Sequence, residues 1–182
     1  FQNVHLVGVL NADHLMNFPD FRAHERTFQM LSQVAGRAGR KELRGKVLIQ
    51  TYQPHHPIIQ HVINGNYDQM LNQELKDRKQ YYYPPYNRLI RILVNHSDME
   101  TLKKASHWIV NVLLQSENGQ ILGPVFPPVA RIRNRYRMHI LVKISANKSR
   151  YRVKKIIKKT LDHFESIPIF RSCKVNVDID PY

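Results

Sequence analysis

The segment around Gln33 contains the residues whose types and spacing are best suited to chemistry. Arg37 and Arg40 are three residues apart, close to one helical turn, and Gly36 and Gly39 precede them directly. Two guanidinium groups at this spacing can project from one helix end towards a single anion, and arginine binds phosphate oxygens in bidentate fashion. The small glycines let a neighbouring surface approach closely. The segment therefore predicts a phosphate contact, with a frayed, solvated helix end as the alternative.

A second group of candidates is a cluster of cationic and aromatic residues in the C-terminal half. A continuous strand would place its arginines on one face, whereas a turn at Asn134 would divide them between two strands of a hairpin. Because like charges repel unless an anion or solvent intervenes, the cluster predicts contact with phosphates, and its tyrosine could stack on an unpaired base. The alternative is a solvated rim. The cluster consists of Arg131, Arg133, Arg135, Tyr136 and Arg137.

A third group is a row of lysines outside the apolar stripe of a predicted helix. Such a row is usually a solvated helix face, but it could also receive a phosphate backbone or an acidic peptide. Composition does not separate these ligands. The row consists of Lys154, Lys155, Lys158 and Lys159.

The net charge points to a polyanionic partner. The chain has a formal net charge of +14. Residues 1–86 have ten Lys and Arg against seven Asp and Glu, whereas residues 87–182 have eighteen against seven, so the two parts have charges of +3 and +11. Nucleic acid is therefore the expected partner of the second part, ahead of an anionic membrane surface.

The cysteine and histidine content argues against structural metal and disulfides. Cys173 is a single cysteine, which excludes an internal disulfide and a multi-cysteine zinc site within these residues and fits a cytoplasmic location. His55, His56 and His61 lie near prolines without a carboxylate or thiol at ligand spacing, so no metal is predicted. No apolar run approaches the roughly 20 residues that span a bilayer. The absence of an initiator methionine suggests a fragment.

The apolar pattern of the first part predicts mixed α and β structure. Residues 4–10 are expected to form a buried strand of a parallel sheet, and residues 11–20 a loop. Asp20 is the expected N-cap of a helix that ends near residues 36–39. A strand over residues 46–51 and helices over residues 57–63 and 68–79 follow. The Pro84-Pro85 pair cannot continue a helix, so we place the domain boundary at residues 81–86.

The pattern of the second part predicts the order βαββαβ, which implies an α+β, ferredoxin-like sandwich. Residues 88–95 are strand-like, and Asp98 is the expected N-cap of the next helix. Two strands follow over residues 121–133 and 136–144, then the lysine-bearing helix. In the last strand Val175, Val177 and Ile179 alternate with polar residues, which predicts a half-buried strand.

The arginine segment resembles superfamily 2 helicases. Their last motif has the form Q-x-x-G-R-x-G-R, and Gln33, Gly36, Arg37, Gly39 and Arg40 match it. The chain is further similar to the primosomal protein N′ (PriA) family of replication-restart helicases. That similarity covers essentially the whole chain, including residues 7–13, 19–26, 84–86, 123–124, 133–137 and 177–181.

This resemblance implies a fold and roles for the candidate residues. Residues 1–86 would be the C-terminal part of a second RecA-like helicase lobe with its linker, and residues 87–182 a basic α+β domain. Arg37 and Arg40 would reach the γ-phosphate of an ATP held mainly by the other lobe, and Gln33 would help to sense it. Gly36 and Gly39 would line the nucleotide. Gly8 and Asp13 would couple nucleotide to DNA, although Asn11 stands where many relatives are acidic.

The resemblance also implies an activity and partners for the full-length protein. It would be an ATP- and magnesium-dependent DNA helicase that recognises stalled or branched forks. Its partners would be forked or single-stranded DNA, single-stranded-DNA-binding protein and other primosome proteins. A phosphate loop, a D-E-x-H motif and the family's cysteine-rich zinc insertion are all absent from these 182 residues. We therefore expect this chain alone not to hydrolyse ATP. The alternative is a non-enzymatic module that binds nucleic acid or docks single-stranded-DNA-binding protein.

Overall fold

A computed structural model describes residues 4–38, 45–116, 119–145 and 147–181. The chain divides into two units, Phe1–Gln80 and Tyr81–Tyr182. This division falls six residues before the expected boundary at Tyr86, so the tyrosine–proline segment groups with the second unit. One reason is the Lys143 side chain, whose Nζ donates a hydrogen bond to the Tyr81 carbonyl at 2.7 Å.

The first unit contains a small parallel sheet and several helices. In β1 and β2, Leu6 lies opposite Lys46 and Val9 opposite Ile49. The parallel pairing agrees with the expectation from the apolar run. The described elements are β1 Leu6–Val9, α1 Ala12–Met16, α2 Ala23–Ala35, β2 Lys46–Ile49, α3 Pro57–Asn64 and α4 Tyr67–Gln80.

The expectation that the first strand is buried was wrong. Leu6 is 58% exposed, Leu10 is 81% exposed and Leu48 on β2 is 60% exposed. The reason is that, in the described part of the chain, the helices pack against the face that contains Val9 and Ile49, so the opposite face of this small sheet stays open. A parallel sheet normally has both faces covered.

The start of the long helix also differs from the expectation. The expected loop at residues 11–20 contains α1, and α2 begins at Ala23 with Arg22 as its N-cap. Asp20 acts just before the helix, where its carboxylate accepts hydrogen bonds from the Arg22 amide at 2.9 Å and the Arg26 guanidinium at 2.8 Å. The chain therefore turns on Asp20 before it becomes helical.

Two small apolar clusters hold the first unit together. One contains Ala12, Met16, Leu31 and Ile59. The other contains Phe28, Ile58 and Met70. The periodic positions Phe28 and Leu31 are thus buried as predicted, because α2 packs against α1, α3 and α4.

The second unit is an antiparallel sheet with helices on one face. The four long strands have the order β4-β6-β3-β7, and the short β5 pairs with β6. A single 3₁₀ turn, Pro168–Phe170, precedes the last strand. The remaining elements are β3 Asn87–His96, α5 Met99–Leu114, β4 Gln120–Val125, β5 Arg131–Ile132, β6 Arg135–Ser145, α6 Arg150–Ser166 and β7 Lys174–Ile179.

Alternation along the central strands explains where the core lies. In β3 and β6, Ile92 lies opposite Ile140 and Val94 opposite Met138. These side chains share the face that packs against α5, and each is at most 4% exposed. Since neighbouring residues of a strand point to opposite sides, the residues between them lie on the other face of the sheet.

Local signals fix the ends of α5 and the path of β4. Asp98 caps α5 as predicted, because its Oδ2 accepts a hydrogen bond from the Thr101 amide at 2.8 Å. Gly123 lies in an irregularity of β4 with a φ of 98°. A Cβ atom there would lie 2.6 Å from the His139 carbonyl oxygen, so glycine allows this close approach to β6.

The last helix agrees with the sequence pattern, and the last strand agrees only in part. Val153, Ile157 and Phe164 of α6 are buried. In β7 the expected half-burial fails, because Val177 is 42% exposed and Ile179 is 49% exposed. β7 is an edge strand that pairs only with β3, and α5 packs against the other long strands.

Candidate functional site

The end of α2 presents part of the predicted phosphate site. Gln33 lies in the last turn and Arg37 follows the C-cap residue Gly36, and all three residues are exposed. Four residues separate Gln33 from Arg37, which is the spacing of neighbours on one helix face. Arg37 forms no ion pair in the described part of the chain, and the exposed Gln33 amide can donate hydrogen bonds, so both can contact an external anion. Gly39 and Arg40 lie outside the described residues.

Asp13 lies where the two parallel strands end. Its Oδ1 accepts a hydrogen bond from the Thr51 hydroxyl at 2.9 Å, and its Oδ2 accepts one from the Tyr52 amide at 3.0 Å. Burial raises the pKa of Asp13, but the hydrogen bonds from Tyr52 and Thr51 outweigh burial and lower it overall. Asp13 therefore ties the turn after β1 to the turn after β2. Gly8 lies exposed in β1 itself.

The arginine cluster forms a hairpin, which is the second of the two layouts considered. β5 and β6 are joined by Arg133 and Asn134, with φ angles of 47° and 60°, as in a tight two-residue turn. Arg131 lies opposite Tyr136, and its guanidinium carbon is 4.8 Å from the centre of the Tyr136 ring. Arg131 also donates a hydrogen bond to Asn134. Tyr136 is thus engaged with Arg131 and packs on the core.

The hairpin divides the arginines between two sides of the sheet. Tyr136 shares the core side with Met138 and Ile140, and Arg131 pairs with it there. Arg135 and Arg137 alternate with these residues and belong to the opposite side. The Arg135 Nη1 atom is buried and has no protein hydrogen-bond acceptor among the described residues. The cluster is close in space but is not a single face.

The side of the sheet away from the helices contains a further arginine and a histidine that sequence reasoning missed. Arg91 on β3 and His139 on β6 point to it by alternation, and both are half-buried. Burial and the positive charges of Arg91 and Arg137 lower the pKa of His139, so the three groups lie close together. The alternation of Arg91 with Ile90 and Ile92 was visible in the sequence. The pairing of β3 with β6 was not.

The tyrosine segment packs on one end of this same side. Lys143 Nζ lies 3.7 Å from the centre of the Tyr83 ring in addition to its bond with Tyr81. Burial lowers the pKa of Lys143. Tyr83 therefore packs within the second unit. Tyr81 and Tyr82 have exposed side chains.

The lysine row lies on the exposed side of α6, as predicted. All four lysines are exposed, and none forms an ion pair in the part of the chain that the structure describes. Ser149 caps the helix by accepting a hydrogen bond from the Arg152 amide at 3.5 Å. The row is therefore an exposed cationic strip.

His24, His56 and His61 of the first unit line a cavity of about 410 Å³. His24 Nδ1 lies 3.2 Å from Glu74 Oε1, and the His24 and His56 rings meet edge to face at 5.3 Å. The described residues contain no group of three or more His, Cys, Asp or Glu that could hold a metal ion. His55 is exposed, whereas His56 caps α3.

The single cysteine lies at the border of the core. Burial raises the pKa of the Cys173 thiol, although the Arg135 guanidinium opposes this effect. Among the described residues, no helix is long and apolar enough to cross a membrane.

Comparison with known proteins connects both units to one family. The family model for the primosomal protein N C-terminal domain matches residues 79–182. The replication restart protein PriA of Bacillus subtilis is 38% identical over 184 aligned positions, which cover 100% of this chain and 22% of that protein. The replication restart protein PriA of Synechocystis is 46% identical, and the alignment covers 76% of this chain and 17% of that protein. That of Rickettsia conorii is 36% identical, and the alignment covers 100% of this chain and 27% of that protein.

The chain thus spans about a quarter of the length of the curated relatives that it matches. The matched domain includes β3 to β7, with the hairpin and the lysine row. The chain belongs to the primosomal protein N C-terminal domain family.

Proposed function

We propose that this chain is the C-terminal part of an ATP-dependent DNA helicase that recognises stalled or branched forks and restarts replication by primosome assembly. The observation that carries the proposal is the alignment of the whole chain, across both units, with proteins named replication restart protein PriA. The charge of +11 in residues 87–182 supports a DNA-contacting role for the second unit.

The proposal assigns a fold to each unit. The second unit would be a ferredoxin-like sandwich, and the antiparallel strand order β4-β6-β3-β7 supports this assignment. The first unit would be the tail of a RecA-like lobe. Its parallel β1 and β2, with Asp13 where both strands end, support that assignment, because open α/β sheets bind ligands at the carboxyl ends of their strands.

The end of α2 would serve the nucleotide. Arg37 and Arg40 would contact the γ-phosphate of ATP and Gln33 would sense it, while ATP and magnesium would be held mainly by a separate lobe. The exposed side chains of Gln33 and of Arg37, which forms no ion pair among the described residues, fit an anion supplied from outside this unit. An arginine donated across a cleft is worth about 10³ to 10⁵ in rate.

The nucleotide role is tested by complementation. A separately produced first lobe that contains the phosphate loop should gain ATPase activity when it is mixed with this chain. Arg37→Ala should lower that activity by about 10³-fold, whereas Lys79→Ala, which removes one exposed charge from the same unit, should leave it unchanged. An equal effect of both variants would contradict the role of Arg37.

The DNA role is tested by fluorescence anisotropy of labelled forked DNA across a salt series. Changing the four lysines of the row to Ala should weaken binding at least about tenfold and make the salt dependence shallower, by up to about 0.9 for each phosphate that is no longer neutralised. The pair Arg131→Ala and Arg133→Ala tests the hairpin tip in the same way. Lys103→Ala with Lys104→Ala on α5 is the matched control. Absence of binding to forked DNA at low salt would overturn this role.

An alternative is a module that docks the acidic tail of single-stranded-DNA-binding protein. The exposed lysine row suits an acidic peptide as well as DNA. If an acidic peptide binds and forked DNA does not, the docking role replaces the DNA role for the second unit.

A further inference from the structure

The side of the second unit's sheet that faces away from α5 and α6 contains a line of basic side chains. On β6, alternation places Arg135, Arg137 and His139 there. On β3, Asn95 lies directly opposite Arg137, and Leu93 lies opposite His139. Each of these side chains is half-buried, so this region is reachable from solvent.

The negative charges on this side do not neutralise the line. Asp178 of β7 binds Arg91 at 2.6 Å. In the described part of the chain, neither Arg135 nor Arg137 forms an ion pair, and the buried Arg135 Nη1 has no protein acceptor. Half-buried guanidinium groups without a counter-charge are costly, and phosphate oxygens suit their geometry.

The spacing of the line fits one strand of nucleic acid. Alternate residues of a β-strand are about 7 Å apart, which is close to the separation of successive phosphates in an extended strand. The far end of the line is closed by Tyr81 and Tyr83 on Lys143, so the free part runs from Arg135 to His139. The apolar residues Leu93 and Leu141 lie on the same side of the sheet as Arg137 and His139. They can contact sugars and bases but form no hydrogen bonds that distinguish one base from another.

We propose that this side of the sheet, which we call the open face of the second unit, binds the phosphates of a single nucleic-acid strand. The contacts are made by Arg135, Arg137 and His139, with Asn95 beside them. The inference rests on the proposed DNA role and gives it a location that differs from the hairpin tip and the lysine row. Because phosphates supply the contact and no Phe, Tyr or Trp stands at any of these positions, binding is independent of base sequence and strongly dependent on salt.

Binding at this face is tested by the fluorescence anisotropy of labelled oligo-dT of about 12 nucleotides. The oligonucleotide is titrated with the 182-residue chain. We expect Arg137→Gln to weaken binding about tenfold and to reduce the salt slope by about 0.7. Arg88→Gln is the matched control, since it removes one arginine from the other side of β3, where Arg88 binds Asp180 at 2.6 Å. That variant should stay within about twofold of the wild type.

If Arg137→Gln and Arg88→Gln change the affinity for oligo-dT equally while the wild type still binds forked DNA, binding on the open face is contradicted. The proposed function is then left intact. A wild-type chain that binds neither oligo-dT nor forked DNA would overturn both. A loss confined to the lysine-row variant would place the single strand on α6 and also reject the open face.

Nuclear magnetic resonance of the wild type provides a test that does not depend on a variant folding. Oligo-dT should shift the side-chain signals of Asn95, Arg137 and His139. Shifts restricted to residues of α6 would reject the proposal. Trp108 fluorescence in urea reports whether each variant keeps the fold of the second unit.

Discussion

The two units bury their apolar side chains on very different scales. Among the described residues, the second unit has one continuous cluster of sixteen buried apolar side chains, whereas the first has separate clusters of four and three. The first unit also leaves Leu6 and Leu48 on the open face of its two-stranded sheet. The second unit therefore has a larger continuous core than the first.

The most buried ion pairs of the first unit lie deeper than the ion pairs described in the second. Arg78 lies between Glu25 at 2.7 Å and Glu74 at 3.5 Å, and the Glu74 side chain is only 8% exposed. In the second unit, Arg88 and Arg91 bind Asp180 and Asp178 at the surface. Surface pairs contribute little, whereas breaking a buried pair is costly. Matched substitutions can therefore separate the two modes of stabilisation.

The largest effect is expected for Leu102→Ala in the core of the second unit. Leu102 is 0% exposed, so the substitution should lower the free energy of unfolding by about 4 kcal/mol. Trp108, the single tryptophan of the chain, packs near Phe164 and Phe170 and reports this unit in a urea titration. Val177→Ala on the exposed edge strand is the control. If Leu102→Ala unfolds at the same urea concentration as the wild type, Leu102 is not part of a single core that stabilises the second unit.

A slightly smaller effect is expected for the same substitution in the first unit. Leu31→Ala should cost about 3 kcal/mol, because its four-residue cluster can collapse more readily around the cavity. Far-ultraviolet ellipticity should then show an early loss of helix while Trp108 fluorescence keeps its wild-type transition. If both signals shift together, the two units do not unfold as separate bodies.

Arg78→Met should destabilise the first unit by about 2 kcal/mol, because it leaves Glu74 buried without the guanidinium group. Methionine retains the apolar stem of the side chain. Lys76→Met, on an exposed position of the same helix, is the matched control and should change the free energy of unfolding by less than about 0.5 kcal/mol. Equal costs for both variants would show that the Glu25–Arg78–Glu74 contacts do not stabilise the unit.

The smallest effect is a pH dependence that His24 gives to the first unit. Its hydrogen bond with Glu74 raises the pKa of His24, against the opposing effect of burial. A pKa raised by folding stabilises the protein below the unfolded pKa of about 6.5, and this stability is lost as pH rises through the higher folded value. Wild type should therefore exceed His24→Gln in stability by less than about 1 kcal/mol at acidic pH, and the difference should shrink at alkaline pH.

The control for this prediction is His55→Gln, which removes an exposed imidazole nearby in the chain. His56 is present in both the wild type and the His24→Gln variant. Burial and His24 lower the pKa of His56, so only the contribution of His24 differs between the two proteins. A gap between wild type and His24→Gln that widens with rising pH would contradict the role of the Glu74 hydrogen bond.

Periodicity predicted most of the second unit because its strands and helices are amphipathic. Ile90, Ile92 and Val94 alternate, and Leu102, Ala105 and Ile109 recur at helical spacing, so burial follows from the sequence pattern. The edge position of β7 could not be predicted from Val177 and Ile179, because alternation gives the faces of a strand but not its neighbours. In the first unit the expected burial of residues 4–10 failed for the same reason.

The candidate sites also contain features that the sequence predicted and features that only the structure revealed. The exposed lysine row follows from helical periodicity. The sequence singled out Arg37 and Arg40 through their spacing, and Gln33 through its place in a motif that resembles a helicase motif. The arginine cluster was visible as a run of charges, but only the φ angles of Arg133 and Asn134 decided that it forms a hairpin. His139 shares a face with Arg137 by alternation along β6, whereas Arg91 joins them only through the pairing of β3 with β6.

By itself the sequence determined the charge asymmetry, the amphipathic elements and the arginine motif, because these depend on residue type and on spacing within one segment. Only the tertiary structure decided which strands lie at an edge, which arginines share a face and which carboxylates neutralise them. The physical reason is that burial and electrostatic pairing depend on distances between segments far apart in the chain, and those distances are set by strand order and register.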